Sequence, residues 1–269
     1  MTKDLCFTVN KDKCTKCGLC VRDCIAHVIS QDKDGYPYAK NELACIGCQH
    51  CLAICPNAAI SIFDKNPDLS GSISNFPSSI DMENLIKARR SCRKFKQENV
   101  SKETLDKLKN ILNWTPTGVN FKDLHFAIVE NKDTMVEIKE ILYKKLKKIL
   151  KFVPAKGHIA SLKRAVLNDE DVIFRNAPHM IVVSVNKKAP CKEIDPIIAL
   201  SYFELFAQTL GMGTLWCGYA YNTMPLSREV MHKFNIPKTH KLAYVMLFGY
   251  PDVKYKRTIQ PESCNITVI

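Results

Sequence analysis

Eight of the thirteen cysteines fall into two identical runs, and those runs constrain the first part of the chain more than any other feature. Cys14, Cys17, Cys20 and Cys24 form C-x2-C-x2-C-x3-C, and Cys45, Cys48, Cys51 and Cys55, followed by Pro56, repeat it. Each cysteine of the second run stands 31 residues after its counterpart. Ile25 to Ser30 and Pro56 to Ser61 also match loosely, so the segment is an internal duplication. Zinc sites use paired C-x2-C runs too, but they take four ligands as two pairs, usually set further apart. A disulfide framework suits small exported domains. Here the start, Met1 to Phe7, has no apolar leader, and the rest of the chain reads as a large intracellular domain.

The runs resemble the two-cluster bacterial ferredoxins, in which three cysteines of one run hold a 4Fe-4S cluster and the fourth crosses to the other. That resemblance implies one cluster on Cys14, Cys17, Cys20 and Cys55, and a second on Cys45, Cys48, Cys51 and Cys24. Two-residue gaps let a tightly curled loop aim three thiolates at three irons, and they free backbone N–H groups for the cluster sulfides. Ile25 stands where the pattern has proline; this alters a turn and removes no ligand.

At 269 residues the chain has room for two domains, and the cysteine module needs only residues 1–65. Residues 66–80, rich in Ser, Pro and Gly without periodicity, read as a linker, which leaves 81–269 for a second domain with its own core. No apolar run approaches the length of a membrane span, and the free cysteines suit a reducing cytoplasm. The net charge of +12 is uneven: residues 1–66 carry 8 basic and 7 acidic residues, so nearly all of the excess lies beyond them. Most of it is lysine, which reads as a solvated surface rather than a nucleic-acid footprint and fits docking by an acidic electron carrier.

Past the linker the pattern alternates. Asp81 to Arg89 reads as a helix with Met82, Leu85 and Ile86 on one face, and Ser101 as the N-cap of the next, which carries Leu105, Leu108 and Ile111. Residues 135–153 form a Lys-rich amphipathic helix, and Asp195 to Leu210 a mostly buried one. Residues 124–129, 180–185 and 242–248 read as strands, the last two buried. The class is α+β.

Four segments in order resemble the nitroreductase family of FMN enzymes, which implies an α-β-α sandwich over about residues 80–260. The first, Arg89-Arg90-Ser91-Cys92-Arg93-Lys94-Phe95, is close to the family's R-R-S-x-R-x-F opening, whose guanidinium and hydroxyl donors suit a flavin phosphate. The second, Thr115-Pro116-Thr117-Gly118-Val119-Asn120, is similar to a loop beside the flavin; Phe121-Lys122-Asp123 departs from the family's Q-P-W after it. The third, Ala207 to Gly218, resembles A-x-x-L-G-L-G-x-x-W, with Leu215, Trp216, Cys217 and Gly218 beside the flavin. Gly211-Met212-Gly213 follows a helix rather than a strand, so it is no dinucleotide loop, and a helix C-cap is its plain alternative. The fourth, Gly249 to Arg257, resembles G-Y-P-x-x-K-x-x-R, with Lys254 and Arg257 completing a phosphate clamp and Lys256 as a competitor. Arg175, in Phe174-Arg175-Asn176-Ala177-Pro178, is a candidate for the pyrimidine edge.

The resemblance implies a homodimer with FMN held between subunits, contacted by Arg89, Arg90, Ser91, Arg93, Thr117, Gly118 and Asn120 besides the later residues. Arg93 or Arg175 would stabilise the reduced flavin, and no protein nucleophile is expected, Cys217 being a packed residue. The fused clusters point to a one-electron donor such as ferredoxin. The acceptor would be a nitro compound, a quinone or a related electrophile. A reductive dehalogenase, an enone reductase or an electron-transfer hub without a small substrate are the alternatives.

Overall fold

The computed structural model of the protein describes residues 4–154 and 156–269. Met1 to Lys3, where the expected first domain opens, lie outside the described residues. The chain divides into two compact units, Met1–Phe76 with Val119–Phe121, and Pro77–Gly118 with Lys122–Ile269. No helix among the described residues is long and apolar enough to cross a membrane.

The first unit repeats its backbone as well as its sequence. Its elements are β1 (Thr8–Val9), α1 (Leu19–Arg22), β2 (Ile29–Gln31), β3 (Pro37–Ala39), α2 (His50–Ala53) and β4 (Ile60–Ser61). Strand β1 pairs antiparallel with β4, and β2 with β3. Left-handed residues recur at the 31-residue period: Lys16 (φ 58°) with Gly47 (φ 68°), Gly18 (φ 73°) with Gln49 (φ 60°), and His27 (φ 51°) with Ala58 (φ 49°). These turns curl each cysteine run, and four of the six are not glycine, so the fold holds them there against a cost of about 1–2 kcal/mol apiece. Leu5, Val28, Ile29, Leu52, Ile60 and Ile62 pack with Cys20 and Cys51 into a small core.

The second unit is a three-layer sandwich. It runs α3 (Ser79–Ala88), α4 (Lys102–Ile111), β5 (Leu124–Val129), α5 (Lys132–Leu150), α6 (Gly157–Leu167), β6 (His179–Asn186), α7 (Asp195–Thr209), β7 (Gly213–Trp216), α8 (Gly218–Thr223), α9 (Arg228–His232) and β8 (His240–Gly249). The sheet order is β5-β6-β8-β7, antiparallel throughout. Both central strands are covered on both faces, which explains their unbroken apolar runs. Met180, Val182, Val245 and Leu247 face the layer of α5 and α8. Ile181, Val183, Met246 and Phe248 face that of α4 and α7. Side chains of opposite parity go to opposite layers, as the pleat requires.

Helix starts follow the caps. Ser78, Ser101 and Asn131 each accept an N–H of the first turn, so α3 begins two residues inside the expected linker and α5 begins at Lys132 rather than 135. Helix α5 ends at Leu150, leaving Val153 beyond it.

Candidate functional site

In the first unit, Cys14, Cys17, Cys20 and Cys55 line one recess. Three come from one run and the fourth from the other, the crossed set implied by the ferredoxin resemblance. The duplication also shows in hydrogen bonds: Cys24 Sγ accepts the Val28 N–H at 3.3 Å, and Cys55 Sγ accepts the Ala59 N–H at 3.2 Å, positions one repeat apart. Cys45 Sγ accepts the Gly47 N–H at 3.4 Å. Sulfurs that collect N–H donors are arranged to carry negative charge. The Leu19 N–H, more than any other group, holds the Cys17 thiol below its usual range. Burial, reinforced by the neighbouring thiols, pushes Cys51 up to about 12. A thiol in such a place would lose its proton to solvent when a cation binds its sulfur, and a multi-iron centre would supply that charge. The donor set fits iron–sulfur clusters.

In the second unit, three separated segments meet at one cavity of about 120 Å3. Its walls include Arg89, Arg90 and Cys92 from the first segment, Met212, Gly213 and Thr214 from the third, and Pro251, Val253 and Tyr255 from the fourth. Backbone pairing brings them together. The Cys92 N–H donates to Thr214 O at 2.8 Å, the Lys96 N–H to Tyr250 O at 2.9 Å, and the Asp252 N–H to Lys94 O at 3.0 Å. Gly211 (φ 74°) ends α7, with the Met212 N–H returning to Ala207 O, so the C-cap alternative for this glycine is correct. Gly213 has a different reason: a Cβ there would lie 2.6 Å from Cys92 Cβ.

Glu204, buried on α7, organises one wall. Its carboxylate accepts from Thr214 Oγ1 at 2.8 Å, Trp216 Nε1 at 3.0 Å and Arg89 Nη1 at 3.3 Å. Arg90 spends Nη1 on the Lys87 carbonyl at 2.9 Å, while its Nη2 is buried without a partner. A buried guanidinium nitrogen left unbonded costs free energy unless an anion meets it. The cavity wall therefore fits a phosphate group.

Residues 86–250 match the nitroreductase family. The chain belongs to the nitroreductase family. Residues 13–60 match the 4Fe-4S dicluster domain. An iodotyrosine deiodinase of Thermotoga neapolitana is 27% identical over 169 residues, covering 62% of this chain and 87% of the relative. A putative NADH dehydrogenase/NAD(P)H nitroreductase of Methanothermobacter thermautotrophicus is 26% identical over 65% of this chain and 79% of its own length. Among solved structures, an FMN-bound nitroreductase of Desulfitobacterium hafniense superposes with a TM-score of 0.58 at 24% identity, over 70% of this chain and 97% of its own. The last shows a common fold.

Within this nitroreductase domain the expected flavin residues are dispersed. Arg89 and Arg90 line the cavity, and Ser91 bridges to Thr214 beside it. Arg93 is exposed, with Nη1 3.5 Å from Ser91 O. Trp216 reaches Glu204, whereas Leu215, one residue earlier on the strand, packs into the opposite core. Cys217 Sγ donates to Ile173 O at 3.1 Å and accepts the Ala220 N–H, making it a helix cap inside the core just before Gly218 opens α8. Burial pushes that thiol up to about 11, partly offset by the Ala220 N–H and the Arg175 charge, which disfavours its thiolate form. Arg175 sits in a left-handed turn (φ 53°) before β6. Lys254, Lys256 and Arg257 are exposed on the segment that leaves the cavity.

Thr117 and Gly118 stand elsewhere. The Gly118 N–H donates to Asp195 Oδ1 at 3.0 Å, and Thr117 Oγ1 accepts the Lys122 N–H. That is the N-terminal end of α7, about 20 Å along the helix from Gly211. Asn120 is grouped with the first unit. Sequence reasoning missed Glu204, Gln208 and Tyr255. Glu204 carried a usable signal, a carboxylate on the apolar side of a buried helix, which must find donors.

Proposed function

We propose that the protein is an iron–sulfur flavoprotein oxidoreductase. It takes single electrons from a ferredoxin or a similar acidic carrier, passes them through two 4Fe-4S clusters to FMN, and reduces a nitro compound, a quinone or a similar small electrophile. The observation that carries the flavin half is the unpartnered, buried Nη2 of Arg90, a residue that lines a cavity of the family's domain. The recess lined by cysteines of both runs supports the cluster half. A cluster domain over 1–65, a linker over 66–80 and a flavin domain over 81–269 belong to this reading, as does a reducing cytoplasm.

FMN, when bound, supplies the conversion between single electrons and a two-electron reduction. Arg90 and Arg89 would meet its phosphate, with Lys254, Lys256 or Arg257 closing from the exposed side. Glu204 holds Arg89, Thr214 and Trp216 in one arrangement before any ligand arrives, so little ordering remains to be done. Arg93 and Arg175 are the cations for the pyrimidine edge, and Ser91, Leu215, Cys217 and Gly218 contribute backbone or packing. Cys14, Cys17, Cys20 and Cys55 would hold one cluster, and Cys24, Cys45, Cys48 and Cys51 the other.

Thr117, Gly118 and Asn120 reach the flavin from a second copy of the chain. Ile194, Ile197 and Tyr202 lie open on and just before α7 with Ile198 and Leu205 half-buried beside them, and Ile80, Met82 and Ile86 lie open on α3. An apolar surface of that kind belongs at an interface. A second acceptor class, aryl halides, is favoured by the 27% identity to the iodotyrosine deiodinase.

The test is anaerobic mixing of holoprotein with reduced ferredoxin and, separately, with NADH or NADPH. Rapid flavin bleaching by ferredoxin, slowed in Cys55→Ala while FMN stays bound, is expected. Bleaching by a nicotinamide alone would overturn the cluster route.

A further inference from the structure

The 31-residue repeat allows the surroundings of the two cysteine runs to be compared position by position, and their charges differ systematically. Lys11, Lys13, Lys16 and Arg22 of the first run correspond to Glu42, Ala44, Gly47 and Ala53 of the second. Residues 11–24 carry four cations and two carboxylates, whereas residues 42–55 carry one carboxylate, one histidine and no lysine or arginine. Asp23 is paired with His50 at 3.1 Å and Lys13 with Asp68 at 2.9 Å. Lys11, Lys16 and Arg22 have no carboxylate partner among the described residues. Lys16 lines the recess of Cys14, Cys17, Cys20 and Cys55, and its ammonium is held 4.3 Å from the centre of the Tyr36 ring. Lys11 approaches the same ring at 5.0 Å. Gln31 Nε2 donates to Lys16 O at 3.4 Å and to Gly35 O at 2.9 Å, which steadies that loop.

Each cluster takes up one electron and so gains one negative charge on reduction. Cations within about 10 Å stabilise the added charge and raise the potential; a nearby carboxylate lowers it. Resting on the proposed assignment of the eight cysteines to two clusters, we infer that the two are electrically inequivalent. The centre on Cys14, Cys17, Cys20 and Cys55 has the higher potential and is reduced first. The centre on Cys24, Cys45, Cys48 and Cys51 is the stronger reductant. Electrons arriving singly from a low-potential protein donor collect at the first centre, and Lys16 and Arg22 are the residues that set the order.

An anaerobic potentiometric titration of the holoprotein, followed by electron paramagnetic resonance, tests this. Two one-electron steps are expected, the first cluster favoured by about tenfold or more, a separation of about 59 mV. In the Lys16→Gln/Arg22→Gln double variant the upper step moves down while the lower stays. In Glu42→Lys the lower step moves up. Coincident steps in the native protein, or a double variant that shifts both steps alike or only the lower, would overturn the inference. Iron and sulfide content separates the failures: protein without two clusters defeats the cofactor assignment itself, whereas two clusters with equal potentials defeat only the ordering.

Discussion

At the scale of single residues, unpaired and fully paired polar groups mark different roles. Arg90 keeps a buried nitrogen free beside the cavity. Loss of a charge-assisted hydrogen bond costs about 1.5–3 kcal/mol, so Arg90→Gln should weaken FMN binding about 10- to 150-fold. Fluorescence of released flavin measures it, and unchanged affinity would remove Arg90 from the site. His179 is the opposite case. Its Nε2 accepts the Val100 N–H at 2.8 Å and its Nδ1 hydrogen meets Val129 O at 3.1 Å, so the ring is committed to the neutral form. Burial holds its pKa below the ordinary value. The unfolded histidine titrates near about 6.5, so the stability it confers is complete above that pH and is lost as pH falls below it. Denaturation measured from pH 7.5 to 5 should show a decline of up to about 1.4 kcal/mol per pH unit from this group, removed in His179→Gln. Cys217, expected from the sequence to be a packed residue, spends its thiol on a backbone carbonyl and a helix cap inside the core.

At the scale of elements, local patterns were readable where the local physics is strong. Ser101 caps its helix as expected, and β5 occupies residues 124–129 as read, because N-caps and pleated alternation are short-range devices. The start of α5 escaped because Asn131, four residues before the first apolar position, supplies the cap. The repeated left-handed turns were invisible, since Lys16, Gln49, His27 and Ala58 are residues that seldom choose that conformation. His27 is exposed, and glycine there removes the strain at little other cost. His27→Gly should raise holoprotein stability by about 0.5–1 kcal/mol in thermal denaturation. A destabilised variant would show that the imidazole makes a contact worth more than the strain.

At the scale of the whole molecule, helix α7 divides the family's motifs. Arg89, Arg90, Thr214 and Val253 gather at its C-terminal end, while Thr117 and Gly118 stay at its N-terminal end. The two groups stand about 20 Å apart along the helix in one chain, and the proposed two-fold dimer across α7 would bring them to one flavin. Ile197→Asp, placing a charge on that face, should give monomers by light scattering and lose most of the bound FMN. A monomer that keeps its flavin would show that one chain suffices.

The sequence by itself determined the cysteine spacing, the duplication and the buried strands, which are written in spacing and periodicity acting over a few residues; the sandwich and the flavin-like segments were legible through resemblance to a family. Only the tertiary structure decided which segments meet. Residues 89–92, 212–214 and 251–255 share a cavity because α7 and β7 pack against β8 and draw distant backbones into register. Glu204 faces Arg89 across more than a hundred residues of chain for the same reason. Such contacts depend on how whole layers seat on one another, and that is settled by packing, not by the residues next along the chain.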